Sequence, residues 1–306
     1  MLDIIGIGES GVDILVKVDR IPSRGEKSRG EEIGRFPGGI IGNFCSAVAN
    51  HGIDCGIVSV VGDDENGEIS LSDYKSRGID VSNIAVKKGG KTFYCIVFID
   101  KSGEKTLTAV VTPLISPAVE DIDFAYLKQA KYVHMTSMDY TLSEHVVHNL
   151  ITSGTKISID YEAHAENGGF DNWKTILKHV NTLFVNEGGM ANLFPDEDVE
   201  AAATRLLGLG IEQVVLTCGA EGGIVFTEEK TVRFAAYKVR EIKDTTGAGD
   251  CFNAAFLSAQ LKGKSLEEAV NYASASSAIA IQYVGARTGL PTEQQVEEFL
   301  IQRKQE

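Results

Sequence analysis

Apolar and polar positions divide this chain into two regimes. Up to about residue 111, short strands dominate. Leu2–Gly8 is a compact apolar run, Leu15–Val18 continues with β-branched alternation towards Pro22, and Ile57–Val61 is a third run of the same kind. Ile40–His51 has helical spacing instead, at Ile41, Phe44, Cys45 and Val48, and stops at Gly52, a residue suited to a left-handed C-cap. The polar segment Gly62–Gly67 opens another helix. Phe93–Asp100 and Lys105–Val111 alternate around Lys101-Ser102-Gly103-Glu104, which predicts a hairpin.

From about residue 120 the rhythm becomes helix-then-strand. Strands are predicted at Tyr132–Met135, Lys156–Asp160, Thr182–Asn186 and Gln213–Thr217, separated by segments of helical periodicity. Such alternation implies right-handed βαβ crossovers and a mostly parallel sheet covered by helices. Gly247–Lys262, Ser265–Tyr283 and Thr292–Arg303 read as helices. No repeat, low-complexity tract or Pro/Gly linker cuts the chain, so residues 1–306 read as a single domain. The β-rich stretches 12–36 and 91–111 read as a small sheet projecting from it.

Composition narrows the partners. Against 29 Lys and Arg stand 43 Asp and Glu, a formal charge of −14 with no basic block, which argues against nucleic acid. An anionic ligand would have to be held locally, by glycine loops and helix ends. Cys45, Cys55, Cys95, Cys218 and Cys251 are odd in number and scattered, as in a reduced protein without a disulfide frame or zinc site. With no charged-then-apolar leader and no apolar run of about eighteen residues, the expectation is a cytoplasmic protein without membrane contact.

Chemistry concentrates at Asp244-Thr245-Thr246-Gly247-Ala248-Gly249-Asp250, directly before the helical Cys251–Leu257. Glycines allow close backbone approach to an anion, and a helix start offers unpaired N–H groups with favourable dipole potential. Asp250, at the lip, could take a proton from an attacking hydroxyl. A cradle for phosphate charge beside a base is the equipment of phosphoryl transfer. Gly6-Ile7-Gly8-Glu9-Ser10-Gly11 satisfies G-x-G-x-x-G, but Val12–Val18 continues as a strand where a dinucleotide site needs a helix, which leaves an oxidoreductase as a poor alternative. The six histidines form no metal-binding pattern.

Asp244–Asp250 resembles the D-T-x-G-A-G-D signature of the ribokinase (PfkB) family of carbohydrate kinases, and Gly38-Gly39-Ile40-Ile41-Gly42-Asn43 resembles its amino-terminal motif. The order and separation of the motifs extend the resemblance over essentially the whole chain. It implies a ribokinase-like three-layer α/β/α body with a β-sheet lid, and ATP-dependent phosphorylation of a small sugar-like alcohol. A nucleoside or sugar-phosphate kinase of the same family is the close alternative, and a non-catalytic binding protein on this fold a more distant one. Asp250, Gly249, Ala248 and Gly247 then form the catalytic cradle, and Asp13, Gly11, Gly39 and Asn43 hold the acceptor. Asn186, Thr217, Gly219, Gly222 and Ser274 fall at ATP-binding positions. Asp244, Thr246, Ala280, Tyr283, Gly285 and Gly289 match a monovalent-cation site for K+. For Mg2+ the family pattern N-x-x-E has Gly189 at its glutamate position, with Glu187 the nearby substitute. A homodimer through the lid is also implied. Ile40 replaces a lysine of ribose-specific members and Met138 a carboxylate, which argues against ribose. Arg35 is the candidate cation for a sugar phosphate.

Overall fold

A computed structural model describes residues 2–101, 105–163 and 168–303. In the first part of the chain lie β1 (Ile4–Ile7), β2 (Gly11–Val18), β3 (Gly30–Gly38), α1 (Ile40–Asn50), β4 (Cys55–Gly62), α2 (Glu65–Ser76), β5 (Asp80–Lys87), β6 (Tyr94–Ile99) and β7 (Lys105–Val110). Next come α3 (Phe124–Leu127), β8 (Tyr132–Thr136), α4 (Tyr140–Leu150), β9 (Lys156–Tyr161), α5 (Gly169–Leu177), β10 (Thr182–Asn186), α6 (Glu187–Leu193) and α7 (Val199–Leu207). The chain continues through β11 (Gln213–Thr217), β12 (Gly223–Thr227), β13 (Thr231–Phe234), α8 (Ala248–Leu261), α9 (Leu266–Ala280) and α10 (Glu293–Arg303).

The main sheet has the order β13-β12-β11-β10-β9-β8-β1-β4-β5, parallel except where β12 pairs with β11 and β13 with β12. Alternating strand residues feed two cores. Leu183 and Val185 pack towards α3–α7, while Phe184 between them joins the layer of α1, α8, α9 and α10. The three-layer body foreseen from the sequence is therefore present. Strands β5, β12 and β13 were not foreseen: β5 is only half-buried and lacks strict alternation, and the other two are short antiparallel additions at an edge.

The small sheet has the order β3-β2-β6-β7, with β2 and β6 parallel and its other pairings antiparallel. Residues 102–104 lie outside those described, but the antiparallel pairing of β6 with β7 agrees with the hairpin foreseen there.

The glycines of Gly6-x-Gly8-x-x-Gly11 serve packing. β2 continues as a strand from Gly11, and α1 crosses so close to β1 that a Cβ on Gly6 would collide with Cys45 Sγ and lie 2.9 Å from Ile41. Gly6→Ala should lower the unfolding free energy by about 1–3 kcal/mol, the usual penalty for overpacking. Urea denaturation checks this, and adding Cys45→Ala should recover much of the loss. An unchanged midpoint for Gly6→Ala would mean that the close approach does not constrain the fold.

Candidate active site

Two cavities, of about 780 Å3 and 580 Å3, open at the carboxyl ends of the parallel strands and meet at Thr217, Thr245, Ala248 and Gly249. Ligand crevices in open α/β sheets form at such strand ends. The first lies beneath the small sheet and the second against the β11–β12 turn and α9. Their meeting point is the N-terminus of α8.

Local backbone conformation opens that helix end. Gly247 caps α8 at φ 75°, and a Cβ there would press on Ala286, so only glycine fits comfortably. Ala248 N–H turns onto the Thr245 carbonyl at 3.1 Å, whereas those of Gly249 and Asp250 have no such acceptor among the described residues. A Cβ on Gly249 would meet nothing within 4 Å. Packing therefore does not demand glycine at 249, and the open space faces both cavities.

Asp250 follows in the first helical turn, 9% exposed. Asn43, from α1, donates from Nδ2 to Asp250 Oδ2 at 2.8 Å. The amide is oriented by Arg287, whose Nε donates to Asn43 Oδ1, also at 2.8 Å. A guanidinium can only donate, so the amide must turn its oxygen to Arg287 and its NH2 to Asp250. Arg287 is held in turn by Asp73 Oδ2 at 2.8 Å, by the Gly38 carbonyl, and by Tyr74 Oη at 3.3 Å. Tyr74 also pairs with Ser10 at 2.8 Å. A side chain on Gly42 would strike Arg287 and Tyr74, which accounts for the glycine there.

The first cavity is acidic: Glu9, Asp13, Asp160 and Glu162 line it together with Asp250. Burial pushes Asp250 up to about 7 against the opposing Asn43 bond, and Glu162 and Glu9 add repulsion. Burial likewise lifts Glu9 to about 7; its Oε2 has a 3.4 Å bond from Thr136, and its Oε1 has no hydrogen-bond partner among the described residues. Asp160 is raised well above its ordinary value by burial and then by Glu162, Asp250 and Glu9, although Asn253 donates to it at 2.8 Å. Asp13 on β2 is raised too, chiefly by burial. Glu9, Asp160, Glu162, Asn253 and Arg287 had no part in the sequence reading as site residues.

Other expected residues fall into place unevenly. Gly39, at φ 86°, lines the first cavity beside Ile40, Met138 and Asn186. Gly11 lines neither cavity and packs against Phe93. Gly219, Gly222 and Ser274 line the second, whose Phe234, Tyr237, Phe252 and Ile281 make it largely apolar. Asn186 caps α6 by accepting from Gly189 N–H at 2.7 Å, and Glu187 beside it is exposed and lines neither cavity. Its placement does not support a magnesium role. Among the described residues no group of three or more His, Cys, Asp or Glu is arranged to hold a metal ion. Arg35 sits at the surface, paired with Glu65 at 2.6 Å and Glu32 at 3.2 Å, and lines neither cavity.

Asp244, Gly285, Ala280, Tyr283 and Gly289 do gather in one place. Gly285 N–H donates to Asp244 Oδ2 at 2.8 Å, and a Cβ on Gly289 would touch Ala280 and Tyr283. Yet the Asp244 carboxylate is already satisfied. Its Oδ1 accepts from Thr246 N–H at 3.0 Å and Thr246 Oγ1 at 2.7 Å, and the Lys105 ammonium lies 2.6 Å away. Burial alone would raise Asp244, but Lys105, Gly285 and Thr246 outweigh it and hold the carboxyl below its ordinary range. The one anionic donor of the set is thus already engaged, with the Lys105 ammonium standing where a cation would balance it.

Comparison with known proteins decides the family. Residues 1–293 match the model of the pfkB family carbohydrate kinases. The chain belongs to that family. It is therefore an ATP-dependent phosphotransferase that acts on an alcohol group, and the G-x-G-x-x-G alternative falls away. The chain is 29% identical over 306 residues to the ribokinase of Bacillus subtilis, covering 98% of this chain and 100% of that one. It is 27% identical over 307 residues to an ATP-dependent ribose-1-phosphate kinase of Halopiger xanaduensis, covering 99% of each. In fold it is similar to a ribokinase from Thermotoga maritima (TM-score 0.86, 28% identity, 98% of this chain and 100% of that one). It is also similar to the Arabidopsis thaliana ribokinase complexed with ribose and ATP (TM-score 0.84, 23% identity, 98% of each).

A buried acid whose pKa is raised in the folded state stabilises that state below the unfolded pKa, and the contribution is lost as pH rises through the folded value. With Asp250 near 7 when folded against an ordinary 3.8, the kinase should lose stability between about pH 4 and 7 on this account. Asp250→Asn should therefore melt higher than the wild type at pH 8, with the gap narrowing at pH 5. Thermal denaturation at both pH values checks it. An equal gap at both would show that Asp250 is not a strained acid.

Proposed function

We propose that this kinase transfers the γ-phosphoryl group of ATP to a hydroxyl of an uncharged, sugar-like acceptor, with Asp250 as the general base. The observation that carries the reading is the position of Asp250, on the first-cavity side of the helix end where the two cavities meet. An acceptor in the first cavity would present its hydroxyl to Asp250, while the apolar second cavity suits a purine. Asn43 holds one carboxylate oxygen, which leaves Oδ1 for the incoming proton. The N–H groups of Gly249 and Asp250 would stabilise the transferring phosphoryl, in agreement with the electrostatic character of such transfers.

Acceptor hydroxyls would meet Asp13, whose two oxygens can accept several bonds at once, and the remaining Nδ2 hydrogen of Asn43, while Gly39 allows close approach. A related structure, an E. coli protein named for ribokinase II, was solved in complex with ATP and Mg2+. Magnesium would arrive here with the nucleotide, bound to phosphate oxygens and water, and neutralise charge. A lid pairing in a homodimer is supported by the exposed Ile33 and Val111 of the small-sheet region.

The charge of the first cavity favours a neutral acceptor over the sugar phosphate of the Halopiger relative. Six carboxylates line it against the single ammonium of Lys105, which is already paired with one of them, Asp244. Ile40 and Met138 add an apolar wall where a polar group would lose its partners, at roughly 1–3 kcal/mol each.

Two measurements test this. Asp250→Asn should keep its fold and ATP binding while turnover drops by about two to four decades; wild-type turnover would remove Asp250 as the base. A coupled ADP-release screen across pentoses, hexoses, nucleosides and sugar phosphates should rank neutral acceptors above phosphorylated ones. Ribose should be poor, behind ligands with fewer hydroxyls or an apolar substituent. A sugar phosphate or ribose with the highest kcat/KM would overturn the specificity argument.

A further inference from the structure

We propose that the lid carries the cation of the phosphate cradle: the Lys105 ammonium takes the place of a monovalent metal ion at Asp244, and the kinase works without potassium. The inference rests on the phosphotransfer reading above and concerns how its cradle is ordered.

Lys105 opens β7, at the hairpin end of the lid, and reaches across the mouth of the first cavity. Its Nζ is buried and lies 2.6 Å from Asp244 Oδ1, with no other polar partner among the described residues. The contact is an ion pair, so an ammonium bearing three donors keeps capacity for further oxygen ligands. Asp244 is the residue whose two oxygens hold Thr246 and Gly285, and so tie the segment preceding α8 to the loop after α9. The Lys105 ammonium, together with the Gly285 and Thr246 donors, keeps that carboxylate ionised in a buried setting. Lysine supplies the positive charge from within the chain.

The arrangement also has a geometric consequence. Because the charge rides on β7, ordering of the cradle depends on the lid lying over the first cavity. A free ion would impose no such dependence.

The test uses full-length enzyme freed of monovalent metal ions, with tetramethylammonium chloride exchanged for potassium chloride at constant ionic strength. Wild-type kcat/KM should change by no more than about twofold, since screening is held constant. Lys105→Met should lose activity in tetramethylammonium and recover about tenfold or more with potassium, a coupling of ordinary size between two sites. The melting temperature should follow the same pattern, rising with potassium for Lys105→Met and not for the wild type. This second readout needs no acceptor, so it stands even if the choice of acceptor is wrong. Potassium activation of the wild type by tenfold would overturn the proposal. So would a Lys105→Met variant that folds, is impaired and responds to potassium in neither assay.

Discussion

A carboxylate that must ionise to do its work is buried among other carboxylates, and much of the surrounding structure is arranged around that constraint. Burial and the nearness of Glu9 and Glu162 push Asp250 up to about 7. Left alone, such a group would stay protonated and inert as a base. The opposing influence comes from a chain of directed bonds: Asp73 and the Gly38 carbonyl hold Arg287, Arg287 orients Asn43, and Asn43 donates to Asp250. The chain joins α2, the end of β3, the loop after α9, α1 and α8. Packing of those elements, down to the glycine at 42 that makes room for the guanidinium, sets the ionisation of one side chain.

A second electrostatic device lines the same first cavity, just ahead of the helix end. Asp244 joins two segments through backbone and hydroxyl donors, and the Lys105 ammonium balances its charge. Both devices couple acids to cations from distant parts of the chain, and in each the pairing is buried. Acidity in the first cavity thus coexists with an anion-receptive helix end only a side chain away. The helix supplies positive potential through N–H groups instead of formal charge, so the cradle does not neutralise the base beside it.

Much of this could be read from the sequence. The helix-covered parallel sheet, the small projecting sheet and the helix starting after Gly247 follow from periodicity and glycine chemistry, the three-layer body and the lid role came from the family resemblance, and Asp250 and Asn43 stand in motifs with a physical rationale. The misses have identifiable causes. Glu9 lies inside a glycine motif, where the glycines drew attention while the acid between them did not. Asp160 ends a strand whose apolar run explains itself without a function. Arg287 stands between Gly285 and Gly289, which drew attention only as cation positions, and nothing in a linear sequence tells that its guanidinium turns inward to an asparagine far away in the chain. Lys105 looked like an ordinary lid-strand residue next to a turn; its reach to Asp244 is a property of the closed three-dimensional arrangement. Arg35, conversely, had the right charge for a phosphate and the wrong address, because β3 sends it towards acidic partners at the surface.

The central claim is that Asp250 is a buried base whose ionisation is set by the Asn43 relay. The pH dependence of kcat/KM, which reports the free enzyme, tests it most directly. The wild-type profile should rise with pH along an acid limb centred near 7, as the Asp250 value requires. Because the Asn43 bond favours the ionised form, Asn43→Ala should move that limb to higher pH. A wild-type profile flat from about pH 5.5 to 8.5, or a limb that stays in place when Asn43 is removed, would contradict the account.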